Sequence, residues 1–296
     1  MSYALVLSGG GARGLAHIGL IRELERRGYP KPAFVAGTSM GAIVGGLYAA
    51  GWSGERLEAY ALAFDVRRYM ESPAFRLPDF ALGRLFQAGA AVGSLAGKRP
   101  LDSGARVLAE LERLFEGRSF ADLEIPFACM ATDLGTGEPV RLDSGSVAAA
   151  VRASMSVPGI FAPVQAGDAW LADGGVVSNL PCLAARRRGF RRILACDVTP
   201  FGRAEPESFR PALGAMQRAY DVAAHRAQAA EERLASLLIP VSEPFSALAF
   251  DRAAEIIELG RRAALQAPLG AFFSPLASRI RGFFSKLSVW NDSAPR

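Results

Sequence analysis

Two strand–glycine turn–helix units within the first fifty residues constrain the fold more than any other feature. The apolar run from Tyr3 to Ser8 reads as a buried strand and leads into Gly9-Gly10-Gly11-Ala12-Arg13-Gly14. A helical pattern follows from Leu15 to Arg27 and stops at Gly28. A short strand, Ala33 to Ala36, then enters Gly37-Thr38-Ser39-Met40-Gly41 and a second helix from about Met40 to Ala50. Alternation of this kind predicts a parallel sheet with covering helices. Downstream, Pro126 to Thr132, Arg192 to Val198 and Leu237 to Val241 read as further strands. Residues 54–116 read as mostly helical with a looser glycine-rich stretch at 83–97. Residues 208–235 and Asp251 to Gln266 carry helical patterns. The chain has no internal repeat and no linker-like stretch dividing it. With 296 residues, half of them hydrophobic, it is long enough for one large α/β domain with a sizeable core.

Composition excludes several function classes. The net charge of +5 is too mild to point to nucleic acid, although it permits weak attraction to anionic surfaces. With two histidines and three irregularly spaced cysteines, a zinc site is not expected. Cys129, Cys182 and Cys196 read as buried free thiols in a reducing compartment. The N-terminus has no basic region followed by an apolar signal segment, and the protein reads as cytoplasmic. Pro32 to Gly54 is charge-free and long enough to span a bilayer, but Gly37-Thr38-Ser39 and further glycines break it. It reads as strand, turn and buried helix.

Three motifs carry chemistry. Gly9 to Gly14 matches the G-x-G-x-x-G dinucleotide fingerprint. That fingerprint needs an acidic residue about 20 positions on, after the second strand. No Asp or Glu occurs from Gly28 to Leu47. What remains is a row of glycine N–H groups at a helix N-terminus, which suits an oxyanion as readily as a pyrophosphate. Gly37 to Gly41 is a G-x-S-x-G nucleophile elbow in its required strand-to-helix setting, with Ser N-capping of an ordinary turn as the plainer reading. The third motif, Asp173-Gly174-Gly175, is ordinary turn chemistry when taken alone.

Taken in order, Gly9 to Gly14, Gly37 to Gly41 and Asp173 to Gly175 resemble the patatin-like phospholipase family, close to its small bacterial members. Ala131-Thr132-Asp133, Arg152 to Phe161 and Ala172 to Pro181 match as well. The resemblance covers about residues 3–200. It implies a three-layer α/β/α fold with a mainly parallel central sheet, and a catalytic core at 1–200. A C-terminal extension at 201–268 would pack on that core, and 269–296 would form a basic amphipathic tail. It further implies a serine acyl hydrolase of lipid esters, of phospholipase A or lysophospholipase type, needing neither cofactor nor metal. Ser39 would be the nucleophile and Asp173 its base. Gly9, Gly10, Gly11, Ala12, Arg13 and Gly14 would form the oxyanion hole, with Gly10, Gly11 and Ala12 supplying N–H donors. Gly37, Gly41, Gly174 and Gly175 would shape the elbow and the aspartate turn. Arg13 would orient the loop or meet a phosphate head group, with a plain salt bridge equally open. Asn179 and Pro181 would shape the turn after Asp173.

Two alternatives stay open. An α/β-hydrolase triad Ser39–Asp173–His225 has the right chain order, but His225 lies in a helical pattern where a loop is expected. A non-catalytic lipid-binding protein on the same scaffold is the other. His17 reads as structural packing, and Asp133 and Asp197 as turn or cap residues. Ser156 to Phe161 reads as an acyl-pocket wall or a plain core loop. In the tail, Phe272, Phe273, Leu276, Ile280, Phe283, Phe284, Leu287 and Trp290 fall within a helical arc of about 120°. Ser274 and Pro275 would start that helix and leave Phe272 and Phe273 just outside it. This face, in residues 270–290, either docks on the protein's own core or rests on membrane lipid.

Overall fold

A computed structural model of the chain describes residues 2–71, 102–199, 201–203, 205–209, 212–242 and 245–274. The glycine-rich stretch expected at 83–97 lies outside them. So does the tail from residue 275 onward, including the arc from Leu276 to Trp290.

Among the described residues the core is an eight-stranded sheet in the order β5-β6-β3-β2-β1-β7-β8, with β4 also paired to β3. The strands are β1 Ala4–Leu7, β2 Phe34–Thr38, β3 Phe127–Asp133, β4 Pro139–Leu142, β5 Val164–Ala166, β6 Ala169–Asp173, β7 Ile193–Asp197 and β8 Leu237–Pro240. The central run from β3 through β2, β1 and β7 to β8 is parallel, and β4, β5 and β6 are antiparallel additions. Both faces of β1 are fully buried, and its side chains alternate between two cores. Leu5 and Leu7 pack under one helical layer, Ala4 and Val6 under the other. The first layer includes α1 Ala16–Arg26, α2 Met40–Ala49, α3 Gly54–Ala63, α4 Ala105–Phe115 and α5 Val147–Ser154. The second includes α6 Cys182–Arg187, with α7 Ala212–Glu232 leading into Leu234 and Ala235. The three-layer architecture is therefore the one expected, and the three cysteines are free and buried.

Two features depart from the sequence expectations. The Gly-rich turn passes first into a 3-10 segment, Gly11–Leu15, and α1 begins only at Ala16, because Gly11 enters at a φ of +59° that no α-helix can use. The strands β4, β5 and β6 had no sequence signal. They are three to five residues long, and β4 and β5 are mostly solvent-facing, so neither an apolar run nor a sustained alternation marks them.

Residues beyond 200 extend the same sheet. β8 pairs with β7, and α8 Ala253–Gln266 packs against α1. A short helix, α9 Leu269–Phe273, then closes the described chain. Phe272 is buried edge-on against Tyr3, with ring centroids 5.8 Å apart. Phe273 stacks on Tyr29 at 4.2 Å. These two phenylalanines, expected just outside a helix, instead lie within α9, and they pack on the protein's own core, one of the two placements expected for this face. Phe272→Ala is expected to cost about 3–4 kcal/mol, readable as a lowered denaturant midpoint at unchanged m-value. No helix among the described residues is long and apolar enough to cross a membrane.

Candidate active site

The pairing of β3 brings the second and third motifs together. Cys129 pairs with Gly37 on one edge and Leu142 on the other, while Ala131 pairs with Val140 and Asp173. A strand has two edges, and β4 holds one of them throughout. It follows that β6 takes up the edge that β2 vacates. Thr38 lies opposite Met130 and Asp173 opposite Ala131, so the ends of β2 and β6 meet head-on, about 3.3 Å apart along β3. Both chains must leave the sheet there. One turns at Ser39 and the other at Gly174.

The turn at Ser39 is strained. Its φ of 53° and ψ of −120° are reached by few residues with a side chain. Gly37 allows it, since a Cβ there would run into the backbone of Gly41 and Ala42. Ser39 N–H donates to Ser154 Oγ at 3.1 Å, and the Ser154 hydroxyl donates to Met130 O at 2.6 Å. One buried serine thereby satisfies two backbone groups left free where β2 gives way to β6. Ser154 was visible in the matching stretch but carried no sequence signal for this role.

Asp173 is held at both ends of its residue. Its N–H donates to Ser156 O at 2.9 Å, and its carbonyl accepts from Thr132 Oγ1 at 2.9 Å. Gly175 N–H donates to its Oδ1 at 2.7 Å. Burial pushes the carboxyl up to about 6, with the Ser39 hydroxyl and Gly175 N–H pulling the other way. Ser156 is itself fixed by the buried Arg152, whose guanidinium donates to Ser156 Oγ and to the carbonyls of Ser103, Gly104 and Ala162.

The glycine-rich loop lies against the same point, and a Cβ on Gly9 would sit 3.2 Å from that of Ser39. Its N–H groups are unequally placed. Gly9 N–H donates to Asn179 O at 3.1 Å and Ala12 N–H to Ala247 O at 2.7 Å. Gly10 and Gly11 N–H donate to no acceptor among the described residues. Arg13 Nε donates to Gly10 O at 3.2 Å, which braces the loop, and Asp221 and Asp197 attract its guanidinium. His17 Nε2 donates to Ser8 O at 2.9 Å, just before the loop. Complete burial pushes this imidazole down to about 4, so it is a neutral structural tie.

Behind Asp173 lies a polar network that the sequence did not disclose. Asn179 Nδ2 donates to Thr199 Oγ1 and to Gln228 Oε1, and Gln228 Nε2 donates to Asp197 Oδ2 at 2.9 Å. Gln228 lies on α7, where no local pattern distinguishes it. Asp197 also accepts from Thr199 N–H, and Asp133 from Gly135 N–H and the Thr136 hydroxyl, so both aspartates hold turns as expected. His225, on the same helix as Gln228, stacks on Phe201 with centroids 4.5 Å apart. Among the described residues it makes no hydrogen bond to Ser39 or Asp173.

Ser39 opens into an apolar cavity of about 250 Å³. Its walls come from α2, α3 and α4, from Val157, Ile160 and Phe161, and from Leu248 and Phe250 beyond residue 200. The segment read as a pocket wall or core loop is therefore a wall.

Comparison with known proteins bears on this geometry. The family model described as patatin-like phospholipase matches residues 5–186. An uncharacterized NTE family protein of Mycobacterium bovis is 37% identical over 178 residues, which is 60% of this chain and 44% of that protein. A second, from Mycobacterium tuberculosis, is 32% identical over 294 residues, covering 90% of this chain and 47% of its own length. Lysophospholipase NTE1 of Debaryomyces hansenii is 29% identical over 202 residues, 67% of this chain and 12% of that protein. The chain thus spans less than half the length of the relatives it matches.

Proposed function

Since this chain belongs to the patatin-like phospholipase family, with residues 5–186 matching its model, we propose that it hydrolyses lipid acyl esters by a Ser39–Asp173 dyad. The observation that carries the reading is the head-on meeting of β2 and β6, which sets a strained serine beside a buried carboxylate at the mouth of an apolar cavity.

In this reading the Asp173 carboxylate accepts the Ser39 proton as Oγ attacks the ester carbonyl. The resulting oxyanion is received by the N–H groups of Gly10 and Gly11, which have no other acceptor among the described residues. Ala12 N–H is engaged by Ala247 O and leaves the two glycines as the donors. Each such donor is worth about 3 kcal/mol to the transition state. Protonated Asp173 then passes its proton to the leaving alcohol as the acyl–enzyme forms. Water repeats the sequence, giving its proton to Asp173 and releasing the acid. A carboxyl near 6 suits this work, because it is ionised at neutral pH yet a stronger base than an ordinary aspartate. His225 has no part in these steps.

A fluorophosphonate probe tests the assignment. Wild type and His225→Ala should label, and Ser39→Ala should not. Labelling that persists in Ser39→Ala would overturn it. A panel of phospholipids, lysophospholipids, neutral lipids and acyl thioesters then identifies the substrate class. Membrane contact through the tail is a separate proposal, supported by its apolar arc with flanking basic residues. Its test is liposome binding after deletion from residue 275, a cut that spares Phe272 and Phe273.

A further inference from the structure

The cavity has a direction and an end. On α2 its lining residues are Met40, Ile43, Val44 and Leu47, a spacing that places one continuous stripe along the helix from Ser39 inward. Met40 and Ile43 are partly exposed, whereas Val44 and Leu47 are buried. The facing helices show the same gradient. On α4 it runs from the partly exposed Val107 to the buried Leu114, and on α3 from the partly exposed Tyr60 back to the buried Leu57. On each helix the lining thus runs from partly exposed residues to buried ones, and Leu47, Leu57 and Leu114 at the buried ends belong to one hydrophobic cluster. The side walls are tied by a hydrogen bond from Tyr60 Oη to Glu110 Oε1 at 2.6 Å, which joins α3 to α4. Glu110 also lines the cavity, and it accepts from both Nε and Nη2 of Arg113, so its charge there is paired.

We infer that these three leucines form the floor of a blind tunnel, which acts as a ruler for the acyl group and selects medium-chain esters. The inference rests on the proposed acyl hydrolase reading. Eight residues separate Ser39 from Leu47, which is about 12 Å of helix at 1.5 Å per residue. An extended alkyl chain of tetrahedral carbons advances about 1.25 Å per carbon, so the tunnel holds about eight to ten carbons before the chain meets the floor. Within that length each added methylene exchanges water for apolar wall, a gain of up to about fourfold in affinity per carbon. Past it, the extra carbons have no room.

The test is kcat/KM of the full chain on a homologous ester series from four to eighteen carbons, assayed as monomers, with Ser39→Ala as background. The ruler predicts a rise to a maximum at about eight to ten carbons and a fall of at least about tenfold by sixteen. Two variants move the maximum in opposite directions. Leu47→Ala lowers the floor and should raise the ratio of twelve-carbon to eight-carbon activity by about tenfold. Val44→Phe blocks the tunnel partway, about 7.5 Å from Ser39, and should shift the maximum to about four to six carbons. Thermal melts of both show whether each is folded, and either one alone suffices for the test. Ser39-dependent hydrolysis that is flat, or that keeps rising to sixteen carbons or more, overturns the ruler and leaves the hydrolase reading standing. No Ser39-dependent hydrolysis of any ester in the series removes both.

Discussion

Asp173→Asn is expected to lower kcat/KM by about three to four orders of magnitude while making the protein more stable at pH 8. The activity loss follows because an amide cannot take the Ser39 proton. In wild type, kcat/KM should be half-maximal near pH 6 and level above pH 7, following ionisation of a carboxyl that burial has pushed up to about 6. The residual activity of the variant should lack that inflection. An acid limb that survives in Asp173→Asn would mean that another group is the base.

The stability gain comes from the same burial. The unfolded-state value for this group is about 3.8. Between that value and 6 the native state keeps a proton that the unfolded chain has released, so folding weakens as pH rises through this window. Above it, wild type bears a cost of about 2–3 kcal/mol for holding the charged form out of water. The amide carries no such cost, and its Oδ1 can still accept from Gly175 N–H. Denaturant titrations should therefore show Asp173→Asn as the more stable protein at pH 8, with the gap closing toward pH 4. A variant less stable than wild type at pH 8 would mean that the carboxylate is better solvated than its surroundings suggest.

Gly41→Ala is expected to destabilise the protein by about 3–5 kcal/mol. A Cβ there would strike the carbonyl oxygens of Leu7 and Ser8. Both are backbone atoms at the end of the central strand β1, and neither can rotate aside. Relief requires α2 to lift from β1, which moves Ser39 and the glycine-rich loop relative to each other. Activity should therefore fall even in the folded fraction. Gly28→Ala is the contrasting case. Gly28 has a φ of +67° but open space around it, so only the backbone preference of about 1–2 kcal/mol is lost. Thermal melts of the two variants should differ by several degrees. Equal melting would show that the turn at the elbow has slack that the close backbone contacts deny.

Much of the proposed site is legible along the chain because the chemistry proposed for it depends on backbone geometry. A nucleophile forced into a tight strand-to-helix turn needs glycines at fixed offsets, so Gly37 and Gly41 announce Ser39. An anion pocket made of N–H groups needs a run without side chains, so Gly9, Gly10 and Gly11 announce the loop. Residues that act by reaching across the fold leave no such mark. Ser154, Thr132 and Gln228 each satisfy one or two partners distant in sequence, and any of them would read as an ordinary helix or strand residue. The same holds for Ala247, which uses only its carbonyl. Phe272 and Phe273 read as the start of an amphipathic tail because an apolar face looks alike whether it meets lipid or protein. Tyr3 and Tyr29, which decide the matter, lie more than 240 residues earlier.

The two glycine turns and their order along the chain, set by local steric rules, determined that β1 and β2 would be parallel strands capped by helices. They also determined that Ser39 would stand at the end of one of them. Asp173 was different. Nothing near it in sequence separates it from any other Asp-Gly turn. Only the tertiary structure gave it a partner, because β2 stops one residue short of where β6 begins on the same edge of β3, and that gap is a property of pairing. The depth of the tunnel was decided in the same way. It depends on where three helices from different parts of the chain close together, and no stretch of sequence contains that distance.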